Sequence, residues 1–496
     1  MPLPIPEYDD LDAIGLAELV RSGALSAGEV LEAAIARCEA RNPALNAVVL
    51  PLYERARRGV DKLPDGPLRG VPTLLKDLKI GLAGTPTSNS CALTKDKVYD
   101  RSSVLTERYE AAGMQIFGKT NTPQFGIMGV TESALRGPCR NPWNTDHSPG
   151  GSSGGAASAV AARIVPVAHG GDGGGSIRIP ASACGIFGLK PTRGRVTQAP
   201  FAGDSWMGFV QEHMLTVSVR DSALLLDIAD QPTPGEPYAA TTKARPFLEE
   251  VGAPTGRLRI AFCREALYAD HQHPDCVAAV DDAVKLLTEL GHEVVEAKPQ
   301  LATEDLIRAY LLTVAAGTAC FIEDSAAYAG VEPRPRDFEP GTWVLGLIGQ
   351  KTSAGALERA RRQMQAAGRV MGDFMQQHDI FLTSTWGRPP VRVGELGVTR
   401  AEALQAAALD LMPLKALLDF ALHKMAKGRL AAVPNTQLYN QTGAPAVSVP
   451  LHWSAAGLPI GVQLGGRMGD EATLIRLSAQ LEQARPWARR KPVLLG

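Results

Sequence analysis

The sequence predicts an α/β fold on a mostly buried sheet, and three observations predict it. Apolar, β-branched segments alternate with amphipathic ones along the chain, the amphipathic ones carry helical periodicity, and glycines and prolines fall between the periodic segments as turn markers. In "SAGEVLEAAIARCEA", Ser26 stands as N-cap with Glu29 at the capping-box position, ahead of an apolar stripe at Val30, Leu31, Ala34, Ile35 and Cys38. That predicts a helix. "MQIFG" then follows the helical "VLTERYEAAG", "IVPVA" follows the alanine-rich 156–163, and "LRIAFC" precedes "CVAAVDDAVKLLTEL" and "HEVVEA". From about 300 to 430 the pattern is mainly helical, with loops such as "GVEPRPRDFEPG". "APAVSVPL" and "LPIGVQLGG" return to strands, and "EATLIRLSAQLEQA" closes with a helix. The expectation is a single domain over 1–496, its last strands completing the sheet begun near residue 70, with the helical excursion at about 300–430 covering a face where substrate enters.

Composition narrows the function. With 45% hydrophobic and 21% charged residues the chain reads as an ordinary soluble globular protein. Its 51 Lys+Arg balance 52 Asp+Glu without long runs of either sign, which excludes a basic nucleic-acid footprint and a polybasic membrane patch. The expected partner is therefore a small molecule without strong charge. "MPLPIPEYDDLD" lacks the basic and apolar regions of a secretion signal, and "AASAVAARIVPVA", read as the best apolar run, is interrupted by Arg163. Seven scattered cysteines without a CxxC pair fit a reduced, cytoplasmic protein and no metal site. No membrane partner is expected, and no oligomeric state follows from the sequence.

Three motifs point elsewhere. Gly113–Thr120, "GMQIFGKT", satisfies the phosphate-loop pattern, but "MQIF" itself looks like a buried strand and Thr122 before Pro123 opposes the required helix. A nucleotide-binding protein is the alternative of another class. "GGSSGG", 150–155, holds G-x-S-x-G in two registers, centred on Ser152 and Ser153, yet the polar "RNPWNTDHSP" precedes it where a nucleophile elbow needs a strand. "HQH" at 271–273 has no third ligand nearby.

The stretch "HGGDGGGSIRIP", 169–180, is more informative. A dinucleotide fingerprint starting at Gly171 needs glycine at 176, where the chain has Ser176. Consecutive glycines instead let backbone N–H groups converge beside that serine with no Cβ in the way, the makings of an oxyanion hole next to a nucleophile. A serine needs a base. A buried, neutral lysine can serve, and Lys76 follows the apolar Val71, Leu74 and Leu75 in "GVPTLLKDLKI". Ser152 could then carry the proton between Lys76 and Ser176. Taken singly, each has a bland reading: a turn, a helix cap, a surface lysine.

Together, "LRGVPTLLKD", "GKTNTPQFG", "NPWN", "SPGGSSGGAASAVAA", "GGDGGGSIRIPASACGIFGLKPTRGRV", "NQTGAPAVSVPL" and "GLPIGVQLGG" resemble the amidase signature family, densely over 68–196 and again over 440–467. The resemblance implies a mixed central sheet flanked by helices on both faces, and an amidase, a hydrolase of non-peptide C–N bonds working without cofactor. It implies a Ser–cis-Ser–Lys triad of Lys76, Ser152 and Ser176, a cis bond between Gly151 and Ser152, and an oxyanion segment of Gly173, Gly174 and Gly175 with the Ser176 amide. Arg178 and Asp172 read as supports, and Cys184 as core. Gly173, where the family more often has Thr or Ile, and His169 depart from the common pattern. "PVAH", "RIPAS", "RNPWN" and "PWARRKPVLL" are similar to the branch that contains 6-aminohexanoate cyclic-dimer hydrolase. That implies an uncharged amide, linear, cyclic or aryl, with carbamates (a urethanase activity) and esters chemically open to the same groups. Gly126, Ile127 and Met128, with the 300–430 segment, are candidates for lining the substrate site. The resemblance also admits a glutaminase-like subunit that feeds ammonia to a partner.

Overall fold

The alternating apolar segments pair into one eleven-stranded mixed sheet in a computed structural model that describes residues 3–397, 406–410, 413–428 and 430–492. The strands are β1 (Val48–Pro51), β2 (Pro72–Lys76), β3 (Gln115–Thr120), β4 (Glu132–Ser133), β5 (Gly137–Pro138), β6 (Val167–Asp172), β7 (Phe187–Lys190), β8 (Gln211–Thr216), β9 (Arg259–Phe262), β10 (Glu293–Glu296), β11 (Ile380–Ser384), β12 (Ala446–Trp453) and β13 (Pro459–Gly465). The order across the sheet is β1-β3-β2-β6-β8-β7-β12-β13-β11-β9-β10, and β4 pairs with β5 as a separate ribbon. β2 runs parallel to both β3 and β6, whereas β8, β7, β12 and β13 are mutually antiparallel neighbours. The C-terminal strands do complete the sheet begun near residue 70, filling its middle.

The two faces of β12 and β13 show why helices cover both sides. Val447, Val449, Ile460, Val462 and Leu464 project into an apolar core shared with the helices Val219–Ala229, Pro274–Glu289 and Glu471–Ala484. The alternate residues face the helix Arg178–Cys184, where the amide of Gly461 donates to Ser182 Oγ at 2.7 Å and a Cβ on Gly461 would lie 2.9 Å from Ser182 Cα. Near the N-terminus the capping box forms as its residues dictate: Ser26 Oγ accepts from the Glu29 amide and the Glu29 carboxylate from the Ser26 amide, opening the helix Ala27–Leu45.

The 300–430 segment supplies the helices Thr303–Ala329, Pro340–Lys351, Ala354–Gln376 and Lys415–Lys427. Their inner faces form a second core, with Val314, Leu345, Met364, Met371, Leu418 and Leu422 packed against Phe209, Ala261 and Phe381 from the sheet side. β11 lies inside this excursion. "IFLTS" is a buried central strand without polar alternation, which periodicity cannot distinguish from helix. Among the described residues, Thr303–Ala329, rather than the run near Arg163, is the helix long and apolar enough to cross a bilayer; here Leu306, Ala309, Val314, Ala315 and Ile322 are buried among its neighbours.

Gly113–Thr120 does not form a phosphate loop. Residues 115–120 are β3 itself, buried throughout, and Lys119 Nζ donates to the Pro86 carbonyl at 2.7 Å and to the Thr87 hydroxyl.

Candidate active site

β2 and β6 are parallel neighbours, so their C-terminal ends meet at one edge, where open sheets present their ligand sites. Lys76 is the last residue of β2, and Asp172 the last of β6. Beyond Asp172 the chain turns through Gly173-Gly174-Gly175 into Ser176 and then the helix Arg178–Cys184. Gly175 sits at φ +125, which a side-chain-bearing residue rarely adopts, and this turn brings Ser176 back over the sheet edge. The third strand of chemistry comes from the loop before the helix Gly154–Ala161. There the Gly151–Ser152 peptide is cis, and the Ser153 amide donates to the Ser176 carbonyl at 3.2 Å, tying the two serine loops together.

Lys76 Nζ lies 2.8 Å from Ser152 Oγ and 3.4 Å from the Gly171 carbonyl. Lys76, Ser152 and Ser176 line one small cavity of about 30 Å³. All three are buried. Burial pulls the Lys76 ammonium down to about 8, against the upward pull of the Glu212 and Asp172 carboxylates. The capping reading of Ser152 fails, because its hydroxyl engages Lys76 and the helix at Gly154 has no side-chain cap.

Asp172 organises the glycine turn. Its carboxylate accepts from the amides of Gly175 at 2.7 Å and Ile177 at 3.2 Å, and pairs in two-pronged fashion with Arg178, 2.9 Å from each of Nε and Nη2. Burial alone would raise this carboxyl, but the Arg178 charge and hydrogen bonds, with Asn440, hold it down to about 2. Arg178 is anchored in turn by Gln463 Oε1 at 2.6 Å, Asn440 Oδ1 at 2.7 Å and the Thr436 carbonyl at 2.9 Å. One sequence expectation changes here. The Gly175 amide donates to Asp172, so within the expected oxyanion segment Gly175 has its N–H engaged and contributes its conformation.

A lysine, two serines and a glycine cup at one buried sheet edge are what comparison with known proteins bears on. The amidase family profile matches residues 29–475. The chain belongs to the amidase family. It is 37% identical over 492 residues to a 6-aminohexanoate-cyclic-dimer hydrolase of Pseudomonas sp. (strain NK87), covering 98% of this chain and 97% of that protein. A solved 6-aminohexanoate cyclic dimer hydrolase complexed with substrate superposes with a TM-score of 0.91 at 35% identity, over 99% of this chain and 100% of that one. A bacterial aryl acylamidase of the amidase signature family superposes with a TM-score of 0.86 at 27% identity, over 98% of each chain. The protein is accordingly an amidase-family hydrolase of amide C–N bonds.

In this amidase a chamber of about 400 Å³ opens onto Ser176 and Gly174, and Gly126, Ile127 and Met128 all line it. The sequence did not single out the individual residues of its other walls. Trp206 stands between this chamber and the small cavity, and Tyr310 stacks on Phe209 with its hydroxyl against Gly174, 2.0 Å from where a Cβ there would sit. Leu311, Val314, Leu345 and Val433 complete an apolar surround from the helical excursion and the segment after it. No local pattern marks these residues; only folding the 300–430 segment over the sheet edge brings them in. Glu212 was also missed: β8 pairs it with Gly171, and its carboxylate lies across that glycine, beside the lysine and 3.2 Å from His169 Nε2. Among the described residues no group of three or more side chains could hold a metal ion, and His273 of "HQH" caps the helix Pro274–Glu289.

Proposed function

We propose that this amidase cleaves the C–N bond of small uncharged amides, linear, cyclic or aryl, through an acyl-enzyme on Ser176. The observation that carries the reading is the buried contact of 2.8 Å between Lys76 Nζ and Ser152 Oγ, made by an amine whose pKa burial brings to about 8. Neutral Lys76 draws a proton through Ser152 as Ser176 Oγ attacks the carbonyl carbon. The tetrahedral oxyanion accepts from the amides of Gly173, Gly174 and Ser176, each such donor being worth about a hundred- to a thousandfold in rate. Ser152 then protonates the departing nitrogen and is itself reprotonated by Lys76. Water hydrolyses the ester by the same relay.

The apolar walls of the substrate chamber support an uncharged acyl portion, and the relatives that act on a cyclic dimer and on aryl acylamides support cyclic and anilide substrates. Carbamates and esters present the same carbonyl to the same groups. The test is mass spectrometry after exposure to a fluorophosphonate. Ser176 is expected to carry the adduct, and Ser176→Ala to lose both adduct and turnover. An adduct elsewhere, or turnover by Ser176→Ala, overturns the assignment.

A further inference from the structure

Gln437 lines the substrate chamber together with Ser176 and Gly174, and the chemistry proposed above makes no use of it. The residue is 1% exposed, and its Oε1 is buried with no hydrogen-bond partner among the described residues. A buried acceptor without a donor is unfavourable, and a leucine or methionine would fill the same place without that cost. The backbone that carries it is held against the glycine turn. Thr436 Oγ1 donates to the Gly174 carbonyl at 2.6 Å, the Thr436 carbonyl accepts from Arg178 Nη1 at 2.9 Å, and the Asn435 carbonyl accepts from Gln463 Nε2 at 2.8 Å. The glutamine is thus a fixed fixture beside the proposed nucleophile, with an acceptor to offer.

We propose that Gln437 selects for a second amide in the substrate: its Oε1 accepts the N–H of an acylamino group in the acyl portion. The preferred substrates are then acylamino-acyl amides rather than plain alkanoyl amides. The inference rests on the acyl-enzyme reading above. Other polar groups of the chamber are differently placed. Ser133 Oγ accepts from the Arg136 amide at 3.1 Å, and Glu339 from the Ala134 amide at 2.8 Å. Glu132 Oε1 and Trp206 Nε1 also lack partners. The first belongs to a part-exposed carboxyl that already accepts from the Gly394 amide, and the second lies over Gly317, 2.5 Å from where a Cβ there would sit.

The donor that suits Oε1 follows from its surroundings. Solvent in the open chamber serves this oxygen, and a substrate that displaces the solvent has to replace the donor or leave the acceptor stranded. An ammonium would give up its hydration among the apolar residues Leu311, Val314, Leu345 and Val433. A hydroxyl brings lone pairs that need donors of their own at the same spot. A trans amide presents an uncharged N–H with no lone pair beside it and points its carbonyl the opposite way, toward the rest of the chamber. At about 400 Å³ the chamber lies in the range that encloses drug-sized ligands, so an acyl portion containing a second amide has room.

Position assigns the second amide to the acyl side. Gln437 lines the substrate chamber but not the small cavity that holds Lys76 and Ser152. The scissile nitrogen has to lie at Ser152 to take its proton when the C–N bond breaks. A group that meets Gln437 therefore sits on the far side of the carbonyl carbon, in the part that stays on Ser176.

The test uses the full-length enzyme and p-nitroanilides of N-acetyl-ω-amino acids of increasing spacer length, following nitroaniline release. Each is compared with a ketone analogue in which CH2 replaces the acetamido N–H and with an alcohol in which CH(OH) replaces it. At the best spacer the wild type is expected to favour the amide over the ketone about thirtyfold in kcat/KM, the weight of one buried acceptor paired or stranded. Gln437→Met, similar in length but without the acceptor, is expected to abolish that preference, and Gln437→Leu serves the same comparison if Gln437→Met does not fold. Equal kcat/KM for amide and ketone at every spacer overturns the proposal. So does a preference that survives in the folded variant, or one that the alcohol matches. A preference seen only when the second amide is moved to the amine side of the scissile bond overturns the acyl-side assignment. Absence of a fluorophosphonate adduct on Ser176 in the wild type marks failure of the acyl-enzyme reading instead, and the amide-to-ketone ratio is measured independently of it.

Discussion

The proposed relay makes the protonation of one buried amine set how the rate depends on pH. In the proposed mechanism Lys76 works only when neutral, and burial holds its pKa at about 8 where an ordinary lysine sits at 10.5. At pH 7 about a tenth of the enzyme then carries the neutral amine, and at pH 6 about a hundredth. The measurement is kcat/KM between pH 5.5 and 10 on an amide with no titrating group in that range, so that the profile reports the free enzyme. A tenfold rise per pH unit below 8 and a plateau above 9 are expected. Glu212→Gln provides the internal check. Glu212 is the largest charge pulling this amine upward, and the next, Asp172, stays in place, as does Lys79 beside Phe321. Removing its charge should move the acid limb to lower pH and raise the fraction active at pH 6. A flat profile from 6 to 9, or a limb near 10.5, would refute the buried-amine argument. A Glu212→Gln limb displaced to higher pH would refute the electrostatic part of it.

Two further outcomes follow from the same geometry. Lys76→Met should abolish turnover yet stabilise the fold at pH 7. The unfolded chain binds the lysine proton below 10.5 and the folded one only below about 8, so the lysine costs roughly 3 kcal/mol at pH 7 and nothing above 10.5. Denaturant melts at pH 7 and pH 11 check this, and a destabilised variant at pH 7 contradicts it. Gly174→Ala places a Cβ 2.0 Å from the Tyr310 hydroxyl and should lower kcat by about a hundredfold through displaced donors. Adding Tyr310→Phe should restore much of the loss, and failure to rescue in steady-state kinetics would place the damage in the turn itself.

The sequence revealed most about segments whose chemistry is local. The capping box at Ser26, the strand at 115–120 behind a misleading phosphate-loop pattern, and the C-terminal pair of strands all declare themselves through spacing. The glycine run told of a turn before Ser176, because only glycine tolerates the backbone that Gly175 adopts. What it could not tell was which of those amides stays unpaired. That depends on Asp172 reaching forward to Gly175, a contact set by Arg178, Asn440 and Gln463 from distant segments. Tyr310 and Trp206 were equally silent. A tyrosine in a long apolar helix and a tryptophan in a loop look like core, and their place against the glycine turn is a product of packing. β11 was illegible for a different reason: five buried apolar and hydroxyl residues between helices carry neither period.

The pair Asp172–Arg178 resolves a conflict built into the site. The glycine turn needs a buried acceptor to hold the Gly175 and Ile177 amides, and a carboxylate is the strongest available. An unneutralised carboxylate at that spot would raise the pKa of Lys76 toward its ordinary value and leave the amine protonated. Arg178, fully buried and bound by three further acceptors, pairs with the carboxylate without releasing the amides, so the turn is held although Asp172 still pulls the Lys76 pKa upward, less than Glu212 does. A neutral Asn at 172 would spare the lysine but strand Arg178 as an uncompensated buried cation. Asp172 thus bears on both the shape of the cup and the basicity of the lysine, and a substitution there changes the two together.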